Sequence, residues 1–126
     1  MLGTFAVGQG PQGVVFDGAN IWVSAYYSDN LTKLQASDGA LLGTFLVGET
    51  PRQLAFDGNN IWVANYSDNT VRRLRADNGA PYGQLTLEGG PTGILFDGHS
   101  MWVTTFTTRV VTKISRRHQS DSPGAL

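Results

Sequence analysis

The sequence predicts an all-β repeat fold on three observations. Phe16-Asp17-Gly18-Ala19-Asn20-Ile21-Trp22-Val23 returns as Phe56-Asp57-Gly58-Asn59-Asn60-Ile61-Trp62-Val63 and again as Phe96-Asp97-Gly98-His99-Ser100-Met101-Trp102-Val103, each time forty residues on and without a gap. A gapless period of that length is the signature of a repeat architecture. Each repeat carries an Asp-Gly pair, the strongest short-range hairpin signal, and 16 of the 126 residues are glycine. Between the turns lie short runs rich in β-branched and aromatic residues, which favour strands and exclude helical solenoids of similar period. Four short strands per repeat describe the blade of a β-propeller.

Taken in order, Leu2 to Val7 reads as a short strand ended by Gly8-Gln9-Gly10-Pro11. Gln12 to Phe16 reads as a buried strand, Asp17-Gly18-Ala19-Asn20 as a hairpin turn, and Ile21 to Tyr26 as the returning strand. Tyr27-Ser28-Asp29-Asn30 turns the chain into Leu31–Gln35, and Ser37-Asp38-Gly39 turns it into Leu41–Val47. The second repeat holds register through Pro51, Phe56, Trp62, Tyr66, Val71, Leu74 and Gly79, and the third through Pro91, Phe96, Trp102, Phe106, Val111 and Ile114. Residues 1–116 are therefore expected to form three blades, and residues 117–126, which lack apolar alternation, a disordered tail. In this phase the chain starts on a blade's outermost strand and its third blade has three strands.

Composition bounds the function. No apolar run nears the roughly 18 residues of a membrane span, and the N-terminus lacks the pattern of a signal peptide. Nothing points to a membrane partner, and location is left open. A net charge of −1 gives no field to recruit nucleic acid. The absence of cysteine removes disulfides, thiol nucleophiles and thiolate metal sites. Asp17, Asp57 and Asp97 read as turn residues rather than a carboxylate trio, and Ser28-Asp29-Asn30 and Ser67-Asp68-Asn69 lack the ligand pattern of a calcium loop. No catalytic motif is present, and neither a metal nor a cofactor is expected.

Pro-x-x-x-x-Phe-Asp-Gly-x-x-x-Trp-Val, at positions 11–23, 51–63 and 91–103, resembles the YVTN and NHL-type propeller repeats, including those of the streptogramin lyase family. That resemblance implies a propeller fold and, for a lyase, histidine and glutamate around a magnesium site at the channel mouth. The two histidines, His99 and His118, lie in the opposite turn and in the tail. A non-catalytic binding or scaffold module, or an excised or engineered piece of a larger propeller, is the favoured expectation. A lyase or hydrolase of the streptogramin lyase type is the alternative.

The channel-mouth face is expected where the repeats vary. Its candidate ligand-binding residues are Gln9, Gln12, Glu49, Arg52 and Thr92, with Tyr26, Tyr66 and Phe106 at the end of each second strand. Glu49 and Arg52 are the charges placed to pair beside the channel. Trp22, Trp62 and Trp102 read as packing between blades, and Lys33, Arg73 and Lys113 as a solvated stripe protecting the outer strands. Three blades cannot close a ring, whereas two chains head to tail supply six. A homodimer is therefore expected, with Leu2, Phe5, Val7, Val111 and Ile114 at the junctions, where Leu2–Val7 of one chain pairs with Val110–Ile114 of the other.

Overall fold

The computed structural model describes residues 3–115, so Leu2 and the expected tail at 117–126 lie outside the described residues. Eleven strands form three antiparallel meanders. The first sheet holds β1 (Pro11–Phe16), β2 (Asn20–Ala25), β3 (Asn30–Gln35) and β4 (Leu41–Leu46). The second holds β5 (Pro51–Phe56), β6 (Asn60–Asn65), β7 (Thr70–Arg75) and β8 (Pro81–Thr86). The third has β9 (Pro91–Phe96), β10 (Met101–Thr105) and β11 (Val110–Ile114), with β11 at the edge of the sheet among the described residues.

The tight turn between the first two strands of each blade is built by one carboxylate. Asp57 Oδ1 accepts from the backbone N–H groups of Asn59 and Asn60 at 2.9 and 2.7 Å, and Asp17 and Asp97 do the same in their blades. The second oxygen accepts from a tryptophan indole, Trp22, Trp62 or Trp102, at 2.7–2.8 Å. The repeated Asp therefore fixes the hairpin and anchors the large ring that the blade buries.

The rings of Trp22 and Trp62 pack the blades together. Trp22, Leu31 and Val47 of the first blade meet Leu54, Ile61, Val63 and Leu74 of the second. One repeat later, Ala55, Trp62 and Val71 meet Met101, Val103 and Ile114 of the third. Each buried large aliphatic side chain contributes about 1.5–3 kcal/mol, so these interfaces hold the arc together.

Three expectations change. Residues 3–7 form no strand, because a strand is stabilised by a ladder and, among the described residues, no strand pairs with them. Lys33 and Arg73 are buried rather than part of a solvated stripe. Lys33 Nζ lies 5.1 Å from the Trp22 ring and crosses to the second blade, donating to the carbonyls of Ala76 and Asp77 at 2.9 and 3.3 Å. Arg73 sits between the rings of Trp62 and Tyr82, at 5.3 and 5.0 Å. Ile114, expected at a junction between chains, is buried inside this one against the second blade.

Candidate functional site

One face of the arc gathers the candidate residues. The turn after each second strand is hydrogen-bonded to the loop leading into the same blade: Tyr26 N to Gly10 O, Tyr66 N to Thr50 O and Phe106 N to Gly90 O, at 2.8–3.0 Å. Blades are also tied to one another here. Thr50 N donates to Asp29 Oδ1 across the first interface at 2.9 Å, and Gly90 N to Asn69 Oδ1 across the second at 3.0 Å. Thr50 is held at φ 59, a left-handed conformation costly for a β-branched residue, in a loop that leads directly to Pro51 and Arg52. The Asp29 bond and a 2.6 Å contact between Thr50 Oγ1 and Ser67 Oγ stabilise it.

Every innermost strand carries a register shift at one place, between Pro11 and Val14, between Pro51 and Leu54, and opposite Val103 and Thr105. The residues opened by these bulges include Gln12, Arg52 and Thr92. A bulge re-aims a side chain without breaking the sheet, and here it does so at the positions where the repeats diverge. Ser24 and Thr104 hydroxyls accept the backbone N–H of the next bulge residue, Gly13 and Gly93, each at 2.9 Å.

Arg52 is the centre of the arrangement. Its guanidinium carbon lies 5.2 Å from the Tyr26 ring and 4.3 Å from the Tyr66 ring, so the cation bridges the first two blades. Its Nε is buried without a hydrogen-bond partner. The stack extends at both ends, with Tyr27 edge-on to Tyr26 at 4.9 Å and Phe106 edge-on to Tyr66 at 6.4 Å. The structure thus brings Tyr26, Arg52, Tyr66 and Phe106 into one row.

The other candidates stand apart. Glu49 forms no ion pair with Arg52 among the described residues; it is exposed, with its backbone N–H bonded to Asp68 Oδ2 at 3.0 Å. Gln9 is exposed and similarly tied through its backbone N–H to Ser28 Oγ at 2.8 Å. Thr92 turns its hydroxyl onto the Gly90 carbonyl at 3.0 Å, and Gln12 is exposed.

Two concavities were not anticipated. Val15, Phe16, Leu54, Ala55, Phe56, Ile94, Leu95 and Phe96 line an apolar groove of about 250 Å³ on the innermost strands. A cleft of about 450 Å³ opens between the first two blades at the Asp-Gly end, with Asp17, Lys33, Arg75 and Asp77 on its walls. The forty-residue recurrence of Phe16, Phe56 and Phe96 was a signal for the groove, masked because the same residues read as strand pattern.

Comparison with solved structures places this architecture. The chain superposes on part of streptogramin B lyase with a TM-score of 0.59 and 21% identity, covering 85% of this chain and 41% of that one. The three sheets are propeller blades. The chain also superposes on hydrazine synthase of Kuenenia stuttgartiensis (TM-score 0.70, 19% identity, 81% of this chain and 31% of that one). A functionally unknown protein from Desulfotomaculum acetoxidans DSM 771 gives a TM-score of 0.67 at 21% identity, over 79% of this chain and 36% of that one. The chain is thus a β-propeller repeat protein resembling streptogramin lyase in fold, and it spans well under half the length of each of these proteins. No family model matches it, and no curated protein does.

Proposed function

We propose that the chain is a non-catalytic β-propeller binding module that holds an anionic ligand, a carboxylate-bearing small molecule or peptide segment, at the channel mouth. Arg52 carries this reading. Its guanidinium lies between two tyrosine rings and has a buried Nε without a partner. Leaving part of a cation desolvated and unpaired is costly, and a bound carboxylate would offset that cost through the planar fork. Stacking by Tyr26 and Tyr66 holds the fork in place before the ligand arrives, which lowers the ordering cost of binding.

A metal-assisted lyase of the streptogramin type is the competing reading, supported by likeness of fold alone. Among the described residues no three of His, Cys, Asp or Glu converge on one point, so the side chains at the mouth do not fit a metal-binding donor set of that kind. The test is an NMR titration of the chain with succinate and with inorganic phosphate. Saturable shifts at residues 50–52 and 66–67 are expected with succinate. Arg52→Gln should abolish them with the remaining spectrum intact, and Arg52→Lys should weaken binding about tenfold by losing the bidentate, stacked geometry. Absence of saturable shifts at the mouth, or equal shifts in Arg52→Gln, would overturn the reading.

A further inference from the structure

We propose that the two end faces of this arc close on a second copy of the same chain, giving a six-bladed ring in which residues 3–7 of each copy complete the third sheet of the other. The proposal does not depend on what the channel mouth binds. It rests on the two interfaces inside the chain, which show what each end face is shaped to meet.

On the leading side of each blade, Leu54 and Ile94 face the preceding blade, and Val14 is their counterpart. Leu54 is 6% exposed where Val14 is 67% exposed. On the trailing side Leu31 and Val71 are fully buried, whereas their counterpart Val111 is 56% exposed. Phe16 and Leu95 are exposed in the same way, one on each end face. The first face therefore presents what a third blade packs against, and the last face presents what a first blade packs against. Each is the complement of the other, so a head-to-tail pair closes through two equivalent contacts. A third copy would bring the ring to nine blades, beyond the usual four to eight.

The N-terminal segment is already in place for this closure. Gly3-Thr4-Phe5 repeats Gly43-Thr44-Phe45 of β4. The Phe45 ring covers Gly79 of the following blade so closely that a Cβ there would collide with it, and the Phe5 ring covers Gly39 in the same manner. Residues 3–7 therefore lie against the first blade as the outer strand of a preceding blade would, with no sheet yet to join. In the first blade Asn30, Leu31, Thr32 and Lys33 of β3 stand opposite Leu46, Phe45, Thr44 and Gly43 of β4. Shifting β3 forward by two repeats and β4 back by one sets Val110, Val111, Thr112 and Lys113 opposite Ala6, Phe5, Thr4 and Gly3 of the partner subunit.

Polar groups on the last blade are also waiting for acceptors. Ser24 Oγ accepts from Gly13 N and donates across the interface to Arg52 O at 2.5 Å. Thr104 Oγ1 accepts from Gly93 N likewise, but has only Gly93 O at 3.5 Å in front of it. Closure offers it the carbonyl of Gln12 of the partner subunit. Lys113 lies 5.4 Å from the Trp102 ring, as Lys33 lies over Trp22, and closure offers it the carbonyls of Ala36 and Ser37 of the partner subunit. One link is not reproduced: Arg109 stands where Asp29 and Asn69 accept a backbone N–H, and it cannot accept. Closure also sets Phe106 of one copy beside Gln12 of the partner subunit, completing the circle of the mouth.

The experiment is light scattering on a sizing column with the 126-residue chain, together with a cysteine cross-link. Twice 13.6 kDa is expected, falling to 13.6 kDa for Leu95→Glu with the β-sheet circular dichroism retained. The chain has no cysteine, so Thr4→Cys/Thr112→Cys should oxidise to a covalent dimer that reductant reverses. Thr4→Cys/Val110→Cys, out of register, should not, because a disulfide requires Cα atoms within about 7 Å and facing Cβ atoms. A stable monomer, an assembly larger than two, or a dimer that fails to cross-link between positions 4 and 112 would each overturn the proposal.

Discussion

The carboxylate of Asp97 accepts three hydrogen bonds, from the backbone of Ser100 and His99 and from the Trp102 indole. The Ser100 bond, then the indole and the His99 backbone bond, favour the charged form and hold its pKa at about 2, below the ordinary 3.8. Asp17 is also lowered: burial, its largest influence, would raise it, but the bonds from Trp22, Asn20 and Ala19 together outweigh burial. A carboxylate whose folded pKa is depressed contributes stability that is full above the unfolded value and is lost as pH falls through the folded one. For Asp97 that window runs from 3.8 down to about 2. Thermal melts followed by tryptophan fluorescence between pH 5 and 2 are expected to show a falling midpoint across it. Asp97→Asn should flatten the fall without removing it, since Asp17 remains; an unchanged slope would mean that the turn carries no such linkage. The Asp-Gly turn was legible in the sequence. Its bond to the indole was not read, although Asp and Trp keep a spacing of five residues in all three repeats.

At the scale of elements, the turn glycines differ in what surrounds them. Gly58 has φ 105 and nothing near the position of a Cβ, whereas Gly79 has φ 75 and lies beneath the Phe45 ring. Replacement by Ala strains the backbone at both sites by about 1–2 kcal/mol. At Gly79 it must also displace an aromatic ring packed between blades, adding about 1–3 kcal/mol. Urea unfolding should therefore rank Gly79→Ala clearly below Gly58→Ala in stability, and equal losses would show that Phe45 does not depend on that glycine. Apart from Leu2–Val7, whose described residues 3–7 form no strand, strand positions were readable to within a residue or two because turn chemistry and alternation are local; Gln12–Phe16 was expected where β1 runs Pro11–Phe16. The bulges at Gln12, Arg52 and Thr92 were not readable, since alternation does not mark an extra residue. Lys33 and Arg73 were misread for a related reason. Their charges fit a solvated strand by composition, but their long stems carry the cations across to a neighbouring blade or ring.

Across the whole molecule, burial falls off from the middle blade. Every residue of β6 is buried, while Asn20, Ile21 and Val23 of β2 are half-buried and Thr104 of β10 is exposed. In a stacked array each blade is stabilised mainly by its neighbours, so in an open arc the end blades open more readily than the central one. A closed ring removes that distinction, because β2, β6 and β10 then each lie between two blades. Amide hydrogen exchange separates the two cases directly. In the chain as it stands, protection of β2 and β10 is expected to come within about tenfold of β6, consistent with global rather than terminal opening. In Leu95→Glu, which is designed to leave the arc open, protection should fall in β10 and β2 while β6 changes least. If β2 and β10 already exchange far faster than β6 without the substitution, the end faces are open in solution, and the mouth around Arg52 is a crescent bounded by three blades.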